Sequence, residues 1–276
     1  MAIAQSLDHF VVPVDDLVIA EDFYARVFGG TLGKRNGLNV RQRKRGAVPH
    51  TFVQIGGKRM GVYLQSDERP SPSSPRGLPT YSFTTTETGL KEASAELKQL
   101  GVDCIGPVSS SHPFAEKALF FTDPAGNHYA VYTPKDACAA ASPSTSRMTG
   151  VGYMELEAPD VDASIRFYQN VLGFEVLSRS KNPNQATLKM ASGQTLILTA
   201  APFASKGLVM SRKVPGPHIA FYVPATQWTD AIEHLAKLDI ENGDRGAAKE
   251  PSADRGGTYM DDPAGYVIQF ITDGME

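Results

Sequence analysis

Apolar and polar positions along the chain alternate between two periods. Residues 7–14 (LDHFVVPV) are β-branched and aromatic, the pattern of a strand. Ala20, Phe23, Tyr24 and Val27 then recur at helical spacing, and Gly29-Gly30 ends that helix. TFVQI (51–55) and RMGVYLQ (59–65) are strands joined through Gly56-Gly57, a hairpin signal. TYSFTTT (80–86) opens a second cycle. Leu90, Ala93, Leu97 and Leu100 share a helix face there, Gly101 is the stop, and strands follow near 103–108, 117–122 and 127–133. A third cycle has strands near 151–158, 174–180, 185–191 and 194–200 and a helix over 160–172. The fourth starts at HIAFYVP (218–224), continues with a helix carrying Trp228, Ala231, Ile232 and Leu235, and ends in strands near 257–261 and 266–272.

These cycles are copies. DPAG stands at 123–126 and again at 262–265, each time between two strands. VDDLVIAEDFYARVFGG (14–30) matches PDVDASIRFYQNVLGFE (159–175), pairing Phe23-Tyr24 with Phe167-Tyr168 and Gly29 with Gly173. The chain therefore reads as two copies of a pattern of about 135 residues. The Pro/Ser-rich stretch 135–148 links a first domain over 1–134 to a second over 149–276. Each domain splits into two βαβββ units, which makes the expected fold α+β, with four units forming two cup-shaped mixed-sheet domains. One unit cannot cover its own sheet face, so units must pair, and a paired sheet with converging inner side chains suits a ligand.

Composition narrows the function. With 27 Lys and Arg against 30 Asp and Glu, the net charge is −3. The basic run 34–45 lacks interleaved aromatics and is expected to be a solvated strand–loop, so no nucleic-acid partner is expected. The N-terminus lacks a basic start followed by an apolar run, and no stretch approaches the ~18 apolar residues of a membrane span. The two cysteines, Cys104 and Cys138, form no CxxC pair. These features point to a cytoplasmic protein with reduced thiols and no thiolate metal cage.

The segments DHFVVPVDDLVIAEDFYARVFG, DPAGNHYAVYTP, GPHIAFYVP and DPAGYVIQF resemble the vicinal oxygen chelate superfamily, which includes glyoxalases, bleomycin-resistance proteins and extradiol dioxygenases. The resemblance covers nearly the whole chain outside the linker. It implies metal ligands near the start of a unit's first strand and on its last strand, three residues past DPxGN. The first-strand positions here are His9, Thr80, Tyr153 and His218, and the last-strand positions are Tyr63, Ala130, Ile197 and Gln269. Only units one and four offer metal donors, so one complete site requires those two units to share a cavity. Pairing of neighbouring units would instead put one histidine in each cup.

On the first pairing, the resemblance implies a divalent metal on His9, His218 and Gln269, with Tyr63 as a further oxygen. Fe(II) is expected first, with Mn(II), Zn(II) or Ni(II) also suited to such donors. Relatives carry a carboxylate where this chain has Gln269. Tyr259 matches a tyrosine that hydrogen-bonds substrate in extradiol relatives. His128 and Glu155 are candidate acid–base groups of the other cup, whereas His50, His112 and His234 are expected to be solvated. Three functions stay open: a ring-cleaving extradiol dioxygenase, a glyoxalase-like isomerase or lyase, and a metal-free small-molecule or antibiotic-binding resistance protein. The expected partner is a small molecule, and a homodimer is compatible with the sequence.

Overall fold

The computed structural model describes residues 3–44, 48–65, 73–135, 147–201, 217–243 and 257–272. Most of the expected linker, with Cys138, lies outside the described residues. The fold is α+β, built from two mixed sheets and few helices.

The first cycle comprises β1 (Ser6–Val14), α1 (Leu17–Phe28), β2 (Thr31–Leu32), a short α2 (Val40–Lys44), β3 (His50–Ile55) and β4 (Lys58–Leu64). The second has β5 (Thr80–Thr85), α3 (Glu87–Gln99), β6 (Cys104–Ser109), β7 (Ala115–Thr122) and β8 (His128–Pro134). The third has β9 (Met148–Ala158), α4 (Val161–Phe167) continued by a π-helical turn over Tyr168–Leu172, β10 (Glu175–Lys181), β11 (Asn184–Lys189) and β12 (Thr195–Ala200). The fourth has β13 (His218–Tyr222), α5 (Trp228–Lys237), β14 (Gly257–Asp261) and β15 (Val267–Ile271). Among the described residues this last cycle has two strands after its helix, and Gly243 adds an isolated bridge to Tyr259.

Local chemistry sets these boundaries. The Asp16 carboxylate accepts from the Val18 and Ile19 amides at the start of α1, and Asp160 accepts from Ala163 at the start of α4. Gly29 and Gly173 end the two helical segments at φ 65° and 79°, in the left-handed region. Gly56 and Gly57 both have positive φ, 58° and 75°, which the tight turn between β3 and β4 requires. The basic run departs from the expected strand–loop: its later part is the exposed α2, and Arg35 is bound to the buried carboxylate of Glu21. A carboxylate with 2% exposure needs such a partner.

Strands run β14-β15-β13-β1-β4-β3-β2 in one sheet and β10-β11-β12-β9-β5-β8-β7-β6 in the other. The first and fourth cycles thus share a sheet, with β1 antiparallel to β13, and the second and third cycles share the other. The residues group into two compact units. One contains Met1–Val11, Asn39–Ala47 and Glu155–Glu276; the other contains Val12–Leu38 and Val48–Met154.

Within the first unit, Tyr168, Phe174 and Phe221 are buried, with ring centroids 5.8 and 5.4 Å apart. Tyr168 donates its hydroxyl to Asp262 of the second DPAG turn at 2.9 Å. The other unit repeats this device: Tyr24 donates to Asp123 of the first DPAG turn and stacks on Phe28, around which Phe83, Phe121 and Tyr129 pack. The recurring helix tyrosine and turn aspartate are therefore one structural element. The tyrosine hydroxyl satisfies a carboxylate that the core buries.

Candidate metal centre

The first unit contains the site. In register, His9 lies opposite Ala220, Ala220 opposite Gln269, and Gln269 opposite Tyr259, so one row crosses β1, β13, β15 and β14. Residues in such a row project from the same sheet face, and His218, two positions before Ala220, shares it. Ala220, the smallest side chain of the row, leaves space between His9 and Gln269.

A one-residue β-bulge at Asp8 sets the direction of His9. Leu7 pairs with Phe221, but His9 pairs with Ala220, so Asp8 is the extra residue. Without the bulge, strict alternation would put Leu7 and His9 on the same face. The bulge sends Leu7 into the core with Phe221, where both have 0% exposure, and leaves His9 with the row facing the other way. Asp8 is then close enough for its carboxylate to lie 2.6 Å from His9 Nδ1. With the Nδ1 proton directed at Asp8, Nε2 presents its lone pair. That nitrogen lies 3.2 Å from Nε2 of His218. The two rings meet edge-on, with centroids 5.2 Å apart, and Tyr259 meets the other side of His218 at 5.4 Å and 89°.

Gln269 has only 7% exposure, and its Oε1 has no hydrogen-bond partner among the described residues. An unsatisfied buried amide oxygen costs about 1–3 kcal/mol, so this atom is suited to accept a group from outside the chain. Bonds of about 2.0–2.1 Å from two nitrogens to one ion, at about 100° to each other, would separate those nitrogens by about 3.2 Å. The observed imidazole spacing, the carboxylate behind His9 and the orphaned oxygen all fit a divalent ion. No group of three His, Cys, Asp or Glu suited to a metal occurs among the described residues. The third donor here is an uncharged amide.

The remaining candidates are on other elements. Tyr63, on β4 in the other unit, stacks on His50 with centroids 4.4 Å apart, and burial pushes its phenol up to about 12. His50 is thus part of a strand stack and donates from Nδ1 to the Val48 carbonyl at 2.8 Å, rather than standing in a solvated loop. His128, on β8, packs over Gly77, where an added Cβ would come within 2.4 Å of its Nε2. Glu155, on β9, accepts from Thr199 at 2.7 Å and Gln185 at 3.2 Å. His112 is half-buried against Phe114 and Tyr153, not solvated as expected, and burial followed by the charge of Arg76 lowers its pKa. His234 is half-buried rather than solvated, and its Nε2 donates to the Asn170 carbonyl at 2.6 Å.

Sequence reasoning missed Asp8, because alternation places it on the face opposite His9. It also passed over Asp261, which shares the face of Tyr259 and lies opposite Val267. The acidic residue directly before His9 was the available signal for Asp8, but only a bulge makes it useful.

A family profile, Glyoxalase/Bleomycin resistance protein/Dioxygenase superfamily, matches residues 6–131 and 150–270. Among solved structures, a protein from Bacillus subtilis named "putative dioxygenase" is similar at 17% identity, with 99% of this chain and 87% of that one covered and a TM-score of 0.73. Glyoxalase I from Zea mays is similar at 15% identity, with 98% and 92% covered and a TM-score of 0.65. At these identities the two likenesses show the fold. Among the described residues, no helix is long and apolar enough to cross a membrane.

Proposed function

The chain belongs to the Glyoxalase/Bleomycin resistance protein/Dioxygenase superfamily, and on that premise we propose that it is a metal-dependent enzyme for a small oxygenated or aromatic compound, most like a ring-cleaving extradiol dioxygenase. The observation that carries this reading is the 3.2 Å approach of the His9 and His218 Nε2 atoms in the same strand row as the buried Gln269 oxygen, which has no hydrogen-bond partner among the described residues. His9, His218 and Gln269 would hold the ion, with Fe(II) first and Mn(II), Zn(II) or Ni(II) as alternatives. When bound, the ion supplies Lewis-acid chemistry and a template for two neighbouring substrate oxygens.

The chain's own residues do the rest. Asp8 holds His9 in the tautomer that presents Nε2, and the β1–β13 pairing fixes the two imidazoles side by side. Tyr259, edge-on to His218 and in line with Gln269, would orient a substrate oxygen by hydrogen bonding. Tyr63 would supply a further oxygen only by losing a phenol proton that burial holds up to about 12 in the metal-free chain.

Anaerobic loading with Fe(II), followed by oxygen uptake with a catechol and hydroquinone panel, tests the reading. The expected result is uptake with at least one diol, lost in His9→Ala. No uptake with any diol removes the dioxygenase assignment.

One observation favours a second reading, a metal-free small-molecule-binding protein. A separation of 3.2 Å is also a hydrogen-bond distance between two neutral imidazoles, and Gln269 adds no charge to attract a cation. Metal content separates the two. Far less than one equivalent, unaltered by His9→Ala with His218→Ala, supports the second.

A further inference from the structure

The donors proposed above carry no charge. His9 presents a lone pair because its proton is directed at Asp8, His218 is a second imidazole, and Gln269 offers a buried amide oxygen. No third His, Cys, Asp or Glu completes a metal-holding group with them among the described residues. The Asp8 carboxylate lies on the Nδ1 side of His9, away from the Nε2 atom that meets His218.

From this donor set we infer that the site is tuned for a chelating ligand with two negative charges, and that the ligand itself completes and tightens metal binding. The inference rests on the metal reading given above. A divalent ion among three neutral donors, with only the Asp8 carboxylate behind His9 to offset it, keeps most of its double charge in a site where Gln269 and His9 are 7% and 5% exposed. A buried, unbalanced charge is costly, so the ion alone is held weakly. A ligand that brings two negative charges on neighbouring oxygens cancels it. A carboxylate at position 269 would cancel one charge in advance, tighten the ion by itself, and shift the preference towards a singly charged ligand. The neutral glutamine also avoids burying a lone carboxylate when no metal is present. By linkage, whatever factor the ligand adds to metal affinity, the metal adds to ligand affinity.

Oxalate, glycolate and ethane-1,2-diol all present vicinal oxygens and differ in charge, so they form a test series. Mn(II) binding to the full chain is measured by equilibrium dialysis with and without each, corrected for complexes formed in solution. Ligand binding to the Mn(II)-loaded protein is measured by titration calorimetry. The expected result for the natural sequence is at least about tenfold tighter Mn(II) binding with oxalate, a smaller gain with glycolate, and none with the diol. In Gln269→Glu, Mn(II) alone is expected to bind about tenfold or more tightly than in the natural sequence, with the oxalate-over-glycolate preference reduced. If that variant does not fold, the charge series on the natural sequence still decides. Mn(II) binding that depends on His9 but is equally strong with and without oxalate overturns this inference alone. No Mn(II) binding under any of these conditions overturns the metal reading and this inference with it.

Discussion

At the scale of single residues, Asp8 connects backbone geometry to site chemistry. The bulge brings its carboxylate to 2.6 Å from His9 Nδ1, and this contact decides which nitrogen faces His218. Asp8→Asn keeps the size but weakens the tautomer preference. Its expected effect is a loss of about 10- to 100-fold in divalent-metal affinity, read by competition with a metallochromic dye. An unchanged affinity would mean that Asp8 does not orient the imidazole. Ala220 makes a second residue-scale test. A leucine there projects into the row between His9 and Gln269 and is expected to abolish metal retention, while overpacking costs about 1–3 kcal/mol of stability. Metal analysis alongside urea unfolding separates the two effects. The sequence, through the resemblance, put His9, His218, Gln269 and Tyr259 at equivalent strand positions, and the structure gives them one sheet row. Asp8 and the Arg35–Glu21 pair were not legible there, since one depends on a bulge and the other on where a chain segment with no strong period comes to rest.

At the scale of elements, the helix tyrosine and the DPAG aspartate form a recurring lock with a measurable pH signature. Burial raises Asp262 from 3.8 to about 6, partly offset by hydrogen bonds from Tyr266, Tyr168, Ala264 and Gly265. Because the folded value exceeds the unfolded one, the folded state takes up the proton more readily. This group's contribution is fully present below about pH 4 and is lost as pH rises through about 6. A shift of about two units corresponds to about 3 kcal/mol. Across that window, chemical denaturation should show the natural sequence losing more stability with rising pH than Asp262→Asn does. Equal slopes would contradict the assignment. Tyr168→Phe removes the hydroxyl given to the carboxylate and should cost about 1.5–3 kcal/mol near neutral pH, with smaller loss below pH 4. The elements themselves were largely legible. Caps at Asp16 and Asp160, stops at Gly29 and Gly173, and the Gly56-Gly57 turn all follow from local chemistry. The short α2 inside the basic run was not, because five residues carry too little periodicity to distinguish a helical turn from a loop.

At the scale of the whole molecule, repeats alone left two pairings of the four cycles open. The distribution of histidines favoured joining the first cycle to the fourth, and the β1–β13 ladder joins them. His9 and His218, 209 positions apart in sequence, meet within one compact unit because Met1–Val11 packs with Glu155–Glu276. The metal account needs both imidazoles. Fe(II) bound by the full chain at equilibrium with excess free Fe(II) under anaerobic dialysis, compared with His9→Ala, His218→Ala and the double variant, tests it most directly. About one equivalent per chain is predicted for the natural sequence, with each single variant losing most of it. Content far below one equivalent that no histidine substitution changes would contradict the account.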